Sequence, residues 1–310
     1  MPLVTIVTPV YNGADHLAEC IESLLRQTYA NWHYVVVDNS SSDDTPKIAK
    51  AFARTDARIR YVRHDEFVEV IESYNRAFRE VDGESTYCKA LGADDWLYPQ
   101  CLARMVELAE RSPSVGVVGG YRIRGNKIDL IGLPASKSVA TGRDVLAQSL
   151  LRPAGPTGSP TSLLFRTALV RKREPFFDPS YRHADTDAAY WALTCSDFGF
   201  VHRVLTFTRL RAGGEATLTA RLNSSGAERI RMLLRYGPEA LSPDRYRKQL
   251  RRELRWYVQY HVKQALRPSR RHDRVFHVYH RKTVDLISAA APEDRDVKRA
   301  MAVVRPLLRS

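Results

Sequence analysis

Apolar residues fall in short runs along this chain, and the runs alternate with stretches of helical period. Leu3 to Val10 (LVTIVTPV) is apolar almost throughout, which is the pattern of a buried strand. It ends in Tyr11-Asn12-Gly13, and Ala14 to Arg26 then carries apolar residues at helical spacing. Gln27-Thr28-Tyr29 breaks that helix. A second run, Tyr34 to Val37, ends in Asp38-Asn39-Ser40-Ser41-Ser42-Asp43-Asp44-Thr45. This is a βαβ unit with polar groups at the carboxyl ends of both strands, where an open parallel sheet holds a nucleotide. The alternation predicts further strands near Ile59 to Val62 and Tyr87 to Leu91, and helices from Thr45 to Ala53 and Ile71 to Val81. Thr45-Pro46 offers an N-cap and a first-turn proline. Uniformly apolar strands separated by helices mean a Rossmann-like, mostly parallel sheet covered on both faces.

The pattern loosens after Pro99. A helix is expected over Cys101 to Arg111 and a strand over Val115 to Tyr121. Lys137 to Pro160 is rich in Ser, Gly and Pro, so it reads as loop with one short helix around Asp144 to Leu151. A strand near Ser162 to Phe165, a helix over Asp185 to Cys195 and a strand or strand pair over Phe200 to Leu210 follow. Gly213-Gly214 marks a mobile loop. From Ser224 the chain reads as helical. Tyr246, Leu250, Leu254, Tyr257 and His261 form one apolar stripe on an Arg-rich helix that ends at Leu266-Arg267-Pro268. Three zones result: 1–98, 99–223 and a basic helical extension, 224–310.

Composition narrows the class. A length of 310 residues with 44% hydrophobic content suits about two domains with a real core. No run of 18 apolar residues is present, so no transmembrane helix is expected. The N-terminus enters a strand without a basic region or cleavage site, so no signal peptide is expected and a cytoplasmic location is. Cys20, Cys88, Cys101 and Cys195 show no CxxC spacing and lie in apolar stretches. They read as buried free thiols rather than zinc ligands. Of the net charge of +13, residues 226–310 carry +12 (21 Lys+Arg against 9 Asp+Glu) and residues 1–225 carry +1 (27 against 26). The extension alone is basic. It admits three readings: a solvated extension that packs or makes a homodimer, an anionic membrane surface at the inner face, and nucleic acid. The last is disfavoured, since no binding module is recognisable.

A second acidic cluster, Ala93-Asp94-Asp95-Trp96, follows the strand near Tyr87 to Leu91. Two carboxylates on a turn after a strand suit a divalent cation beside a nucleotide, although an N-cap pair for the Pro99 helix uses the same residues. Thr8-Pro9-Val10-Tyr11-Asn12, Ile21 to Tyr29 (IESLLRQTY), Val36-Val37-Asp38, Asn75-Arg76-Ala77, Gly83-Glu84 and Ala93 to Leu97 (ADDWL) stand in an order and spacing that resembles family 2 glycosyltransferases with the GT-A fold. The likeness covers about residues 1–220.

That resemblance implies inverting transfer of a sugar from a nucleotide diphosphate sugar, a UDP-sugar first of all. The acceptor would be a glycan, a lipid-linked or another hydroxyl acceptor, in cell-surface polysaccharide or glycoconjugate assembly. It implies Mn²⁺ or Mg²⁺, with Asp95 as main ligand and Asp94 on the ribose, the sugar or the metal. Such an ion bridges the phosphates and takes up charge on the leaving group. Pro9, Val10, Tyr11, Asn12 and Arg76 would frame the nucleotide, Tyr11 by stacking. Asp38 and Asn39 would read the base, although many relatives carry Asp-Asp there. The base that takes the acceptor proton falls on Asp185, or on Asp187 if the register slips by two. Both also suit a helix N-terminus. Arg209 or Arg211 would meet the diphosphate, where many relatives have Arg-x-His; arginine cannot ligate a metal.

Two other classes compete. One is a non-catalytic nucleotide-sugar or glycan-binding protein on the same fold, which the Asp38-Asn39 and Arg211 departures favour. The other is a nucleotidyltransferase, which calls for a Gly-rich basic loop that Tyr11-Asn12-Gly13-Ala14-Asp15 does not supply.

Overall fold

The computed structural model describes residues 1–129, 131–152, 155–210, 215–270 and 273–308. The chain divides into two compact units, Met1–Val145 with Ala154–Leu210 and Leu146–Pro153 with Arg211–Ser310.

The first unit opens with the predicted alternation: β1 (Val4–Val10), α1 (Ala14–Leu25), β2 (Trp32–Asn39), α2 (Thr45–Thr55), β3 (Ile59–His64), α3 (Val70–Arg79) and β4 (Tyr87–Ala90). There follow β5 (Trp96–Leu97), α4 (Cys101–Arg111), β6 (Val115–Arg124), β7 (Lys127–Ile128), β8 (Val139–Ala140), α5 (Gly142–Leu151), β9 (Leu164–Arg166), α6 (Thr167–Val170), α7 (Ala184–Cys195) and β10 (Asp197–Thr208). The sheet runs β3-β2-β1-β4-β9-β6-β10-β5. The first four strands are parallel, and so are β6 and β10. The short β9 lies antiparallel to both β4 and β6 and joins the two halves. The structure is therefore an α/β sheet flanked by helices.

Both faces of β1 and β2 are covered, which is why these strands read as unbroken apolar runs. Ile6, Leu17, Ile21, Tyr34 and Val36 pack in one core between the sheet and its helices. The register pairs Val10 with Asp38 and Asn39 with His64. The carboxyl ends of β1, β2 and β3 thus reach one edge together. The stretch over 200–210 forms one strand, not a pair: β10 begins at Asp197 and absorbs register shifts along its path beside β6. One expectation fails among the cysteines. Cys20, Cys88 and Cys101 are buried and free, but Cys195 is exposed, because it is the last residue of α7.

The second unit is helical: α8 (Glu215–Leu222), α9 (Ser224–Ala240), α10 (Pro243–Ala265), α11 (Arg274–Ala290) and α12 (Arg295–Val304). Leu250, Leu254, Tyr257 and His261 of α10 are buried along the predicted stripe. The Tyr257 hydroxyl donates to Nδ1 of His280 (2.9 Å), whose Nε2 donates to the Leu222 carbonyl (2.7 Å). Among the described residues, no helix is long and apolar enough to cross a membrane. Gly213-Gly214 lies outside the described residues.

Candidate active site

The loops at the ends of β1 and β2 are stitched to each other. Asn12 N–H donates to Ser41 Oγ (2.9 Å), and Ser42 N–H donates to Asn12 Oδ1 (2.9 Å). Gly13 N–H meets Thr45 Oγ1 (2.9 Å), and Ala14 N–H meets Asp43 Oδ2 (3.0 Å). Asn12 and Ser40 sit at positive φ (48° and 65°), a conformation that persists where surrounding bonds over-determine it. Pro9 is half-buried, Val10 is buried, and Tyr11 is 52% exposed. Tyr11 is thus not a core residue. Its ring meets the equally exposed Phe67 edge-on at 4.8 Å.

Phe67 was not legible as a site residue, yet the chain around it is held from several sides. Ser40 Oγ donates to the Asp65 carbonyl (3.0 Å), and Arg76 Nη1 donates to the Glu66 carbonyl (3.0 Å). Asn39 pairs with Val68 twice, Nδ2 donating to its carbonyl (2.8 Å) and Oδ1 accepting its N–H (3.0 Å). Asn39 and Arg76, expected at the nucleotide, are engaged in presenting this loop.

Asp38 is similarly engaged. It is fully buried; Oδ1 accepts from Ser41 N–H (2.9 Å), and Oδ2 accepts from the Tyr61 hydroxyl (2.6 Å) and Arg63 Nη1 (2.9 Å). Burial and this carboxylate push the Tyr61 phenol up to about 12. Direct base reading by Asp38 therefore meets a carboxylate with both oxygens in use.

The turn after β4 carries Asp94 and Asp95. Asp94 is partly exposed and Asp95 is 6% exposed. Asp95 Oδ2 accepts from Thr161 Oγ1 (2.6 Å), and Oδ1 accepts from Arg209 N–H (3.1 Å). All of these donors are neutral. Burial, reinforced by the charge of Asp94, raises the Asp95 carboxyl from 3.8 to about 6. Gly92 leaves room beneath the turn: a Cβ there would lie 3.0 Å from Asp95 Oδ2 and 3.4 Å from Asp94 Oδ1, so the two carboxylates would have to give by a few tenths of an ångström. The pair does not cap the Pro99 helix, whose N-cap position is Gln100.

Arg209 braces this turn instead of standing open to a ligand. Its Nε donates to the Asp94 carbonyl (3.2 Å), its Nη2 pairs with Glu19 (2.6 Å), and its guanidinium lies 5.4 Å from the Trp96 ring centre. Arg211 lies outside the described residues.

The start of α7 separates the two base candidates. Asp187 is fully buried and ion-paired with Arg173, which removes it from solvent and substrate. Asp185 is partly exposed and accepts the Thr186 N–H (2.8 Å). A second residue absent from the sequence expectations links it to the acidic turn. Tyr74, on α3, packs edge-on against Phe177 (5.6 Å). Its phenol is pushed up by burial and then by the charges of Asp95, Asp94 and Asp185. The carboxylates of both stretches thus act on one phenol.

The glycosyl transferase family 2 model matches residues 5–173. An uncharacterized glycosyltransferase of Rickettsia typhi is 30% identical over 218 residues, 67% of this chain and 64% of that protein. The chain spans between about a third and about a half of the length of the first curated relatives it matches. The fold is shared with Staphylococcus aureus TarS 1-349, solved with UDP-GlcNAc (TM-score 0.66, 15% identity, 98% of this chain and 91% of that one). It is also shared with the mannosyltransferase PcManGT of Pyrobaculum calidifontis, solved with GDP-Man and Mn²⁺ (TM-score 0.58, 18% identity, 99% and 80%). With the family model covering more than half of its length, this chain belongs to glycosyl transferase family 2.

Proposed function

We propose that this protein transfers a sugar, with inversion, from a nucleoside diphosphate sugar to a hydroxyl acceptor. The observation that carries the reading is Asp95: a buried carboxylate, held only by neutral donors, beside a second carboxylate at the nucleotide edge of the sheet. Burial raises its pKa further than its hydrogen bonds and the nearby Arg122 lower it.

These residues fit a divalent cation. Mg²⁺ and Mn²⁺ are commonly bound through one or two carboxylates, with phosphate and water completing the shell, and the turn after β4 supplies two, Asp94 and Asp95. Asp95 would be the main ligand and Asp94 its partner. The bound ion would neutralise the diphosphate as it leaves.

The nucleobase would rest on the Tyr11–Phe67 aromatic pair. Asn39, Arg76 and, through Ser41, Asp38 would act by shaping the two loops that present it. Arg209 would stiffen the acidic turn, and Tyr74 would line the space between Asp94–Asp95 and Asp185. The acceptor hydroxyl would attack the anomeric carbon from the face opposite the diphosphate. The new C–O bond forms as the bond to the diphosphate oxygen breaks, and Asp185 takes the hydroxyl proton. The name of one similar protein, a putative teichuronic acid biosynthesis glycosyltransferase of Bacillus subtilis (30% identical over 119 residues), supports assembly of a cell-surface polysaccharide or glycoconjugate as the setting, with a glycan or lipid-linked acceptor.

The test is incubation with a panel of UDP- and GDP-sugars, with nucleoside diphosphate release as the readout. Release from one donor, dependent on Mn²⁺ and lost in Asp185→Asn, is expected. No release from any donor, with or without acceptor glycans, would return the chain to the binding-protein reading.

A further inference from the structure

β4 reads Tyr87-Cys88-Lys89-Ala90 and is buried at every position. Lys89 is 0% exposed, yet among the described residues no carboxylate makes an ion pair with it; its Nζ donates to two backbone carbonyls, Thr161 O and Leu163 O (3.1 Å to the latter). Burial holds its ammonium down at about 8. For stability alone, an apolar side chain in this strand would cost less than an unpaired ammonium.

What the lysine grips is informative. Thr161 belongs to a short 3-10 turn, Pro160–Ser162, and is itself 2% exposed. Its hydroxyl donates to Asp95 Oδ2 (2.6 Å) and accepts the Gly92 N–H (3.0 Å). Leu163 links this turn to β9. The lysine thus holds the backbone on both sides of Ser162, and Thr161 fixes the turn that carries Asp94 and Asp95. The connection spans strand β4, residues 160–163 and the acidic turn without a break.

We propose that Lys89 is a positioning residue of the active site: it clamps residues 161–163 from within the sheet and so aims the Thr161 hydroxyl at Asp95. The claim rests on the reading of Asp95 as the cation ligand. Removing the hydroxyl or the clamp would let the carboxylate rotate away from its cation-binding orientation. Partners one step removed from a metal set its affinity through such orientation, commonly by about 10- to 100-fold.

The experiment compares wild type, Lys89→Met, Thr161→Val and Thr161→Ser. Mn²⁺ binding is followed by electron paramagnetic resonance with UDP or GDP present, and each variant is crystallised. The expected result is Mn²⁺ affinity about 10- to 100-fold weaker in Lys89→Met and Thr161→Val. Thr161→Ser, which keeps the hydroxyl, should retain near-wild-type affinity and the wild-type Mn²⁺ spectrum. Unchanged affinity in Lys89→Met or in Thr161→Val, or equal loss in Thr161→Ser, would overturn the proposal. Should Lys89→Met not fold, Lys89→Gln takes its place, with the same loss expected and the same unchanged affinity overturning the clamp. A wild type that binds no Mn²⁺ would instead sink the metal reading, and the crystal structures then decide. Displaced residues 160–163 and a rotated Asp95 in the variants uphold the clamp; an unmoved Asp95 refutes it.

Discussion

Asp95→Asn should make the metal-free protein more stable while it destroys the site. Burial pushes the carboxyl up to about 6 in the folded chain, against 3.8 for an aspartate free in water. One pH unit corresponds to about 1.4 kcal/mol. At pH 7 the ionised Asp95 therefore costs the fold about 3 kcal/mol. Asparagine removes the charge and keeps an acceptor for one of the two short contacts, from Thr161 and from Arg209. In a unit of this size, about 3 kcal/mol moves the melting temperature by roughly 6–12 °C. The sign with pH is equally definite. A carboxyl raised in the fold binds its proton there first, so the wild-type penalty disappears as pH falls through about 6 towards 4, and the variant loses its advantage. Scanning calorimetry of both proteins at pH 7 and pH 5, in chelator, reads this directly. Adding Mn²⁺ and nucleotide should then raise the wild-type melting point by mass action and leave Asp95→Asn unmoved. A variant that melts at or below wild type at pH 7 in chelator would refute the reasoning.

Other consequences are as definite. Asp185→Asn should bind donor with unchanged affinity and lose transfer by at least about 100-fold; the same profile from Asp187→Asn, with Asp185→Asn active, would reverse the assignment. Phe67→Ala should weaken nucleotide binding by about tenfold at most, the worth of one aromatic contact, with no change in melting temperature; wild-type affinity would remove Phe67 from the base site. In the helical unit, burial holds His261 at about 3 and His280 at about 4. Both are neutral in the fold, while the unfolded chain takes up protons below about 6.5. That stability is present above pH 6.5 and falls with pH, by about 2 kcal/mol for each histidine at pH 5. Urea unfolding followed at Trp256 should show it; equal midpoints at pH 7 and pH 5 would contradict it.

The sequence made the sheet legible because β1 and β2 are covered on both faces, so their runs admit no other reading. It made Asp94–Asp95 legible because the pair follows the β4 run directly and matches the order of the other motifs. What lay beyond it is long-range. Thr161 reaches Asp95 across 66 residues, from a Ser/Gly/Pro-rich stretch with no periodicity to mark it. Phe67 looked like one aromatic in a polar loop; only the bonds from Ser40, Asn39 and Arg76 show that the loop is built to hold it out. Asp38, Asn39 and Arg76 have the right chemistry to touch a nucleotide, and nothing in one dimension says their polar atoms are already in use. The two carboxylates of α7 differ in burial and in the ion pair that Asp187 makes with Arg173, which spacing cannot reveal. Lys89 did leave a trace: a charge inside an apolar run must find acceptors, and that alone marks it for attention.

In the proposed site, Asp95 with Asp94 holds a divalent cation that binds the donor diphosphate. Isothermal titration of UDP and GDP into wild type and Asp95→Asn, each with Mn²⁺ and with chelator, tests it most directly. Wild type should bind one nucleotide with Mn²⁺ only, and Asp95→Asn should bind none under either condition. Equal affinity with and without metal, retained in the variant, would contradict it.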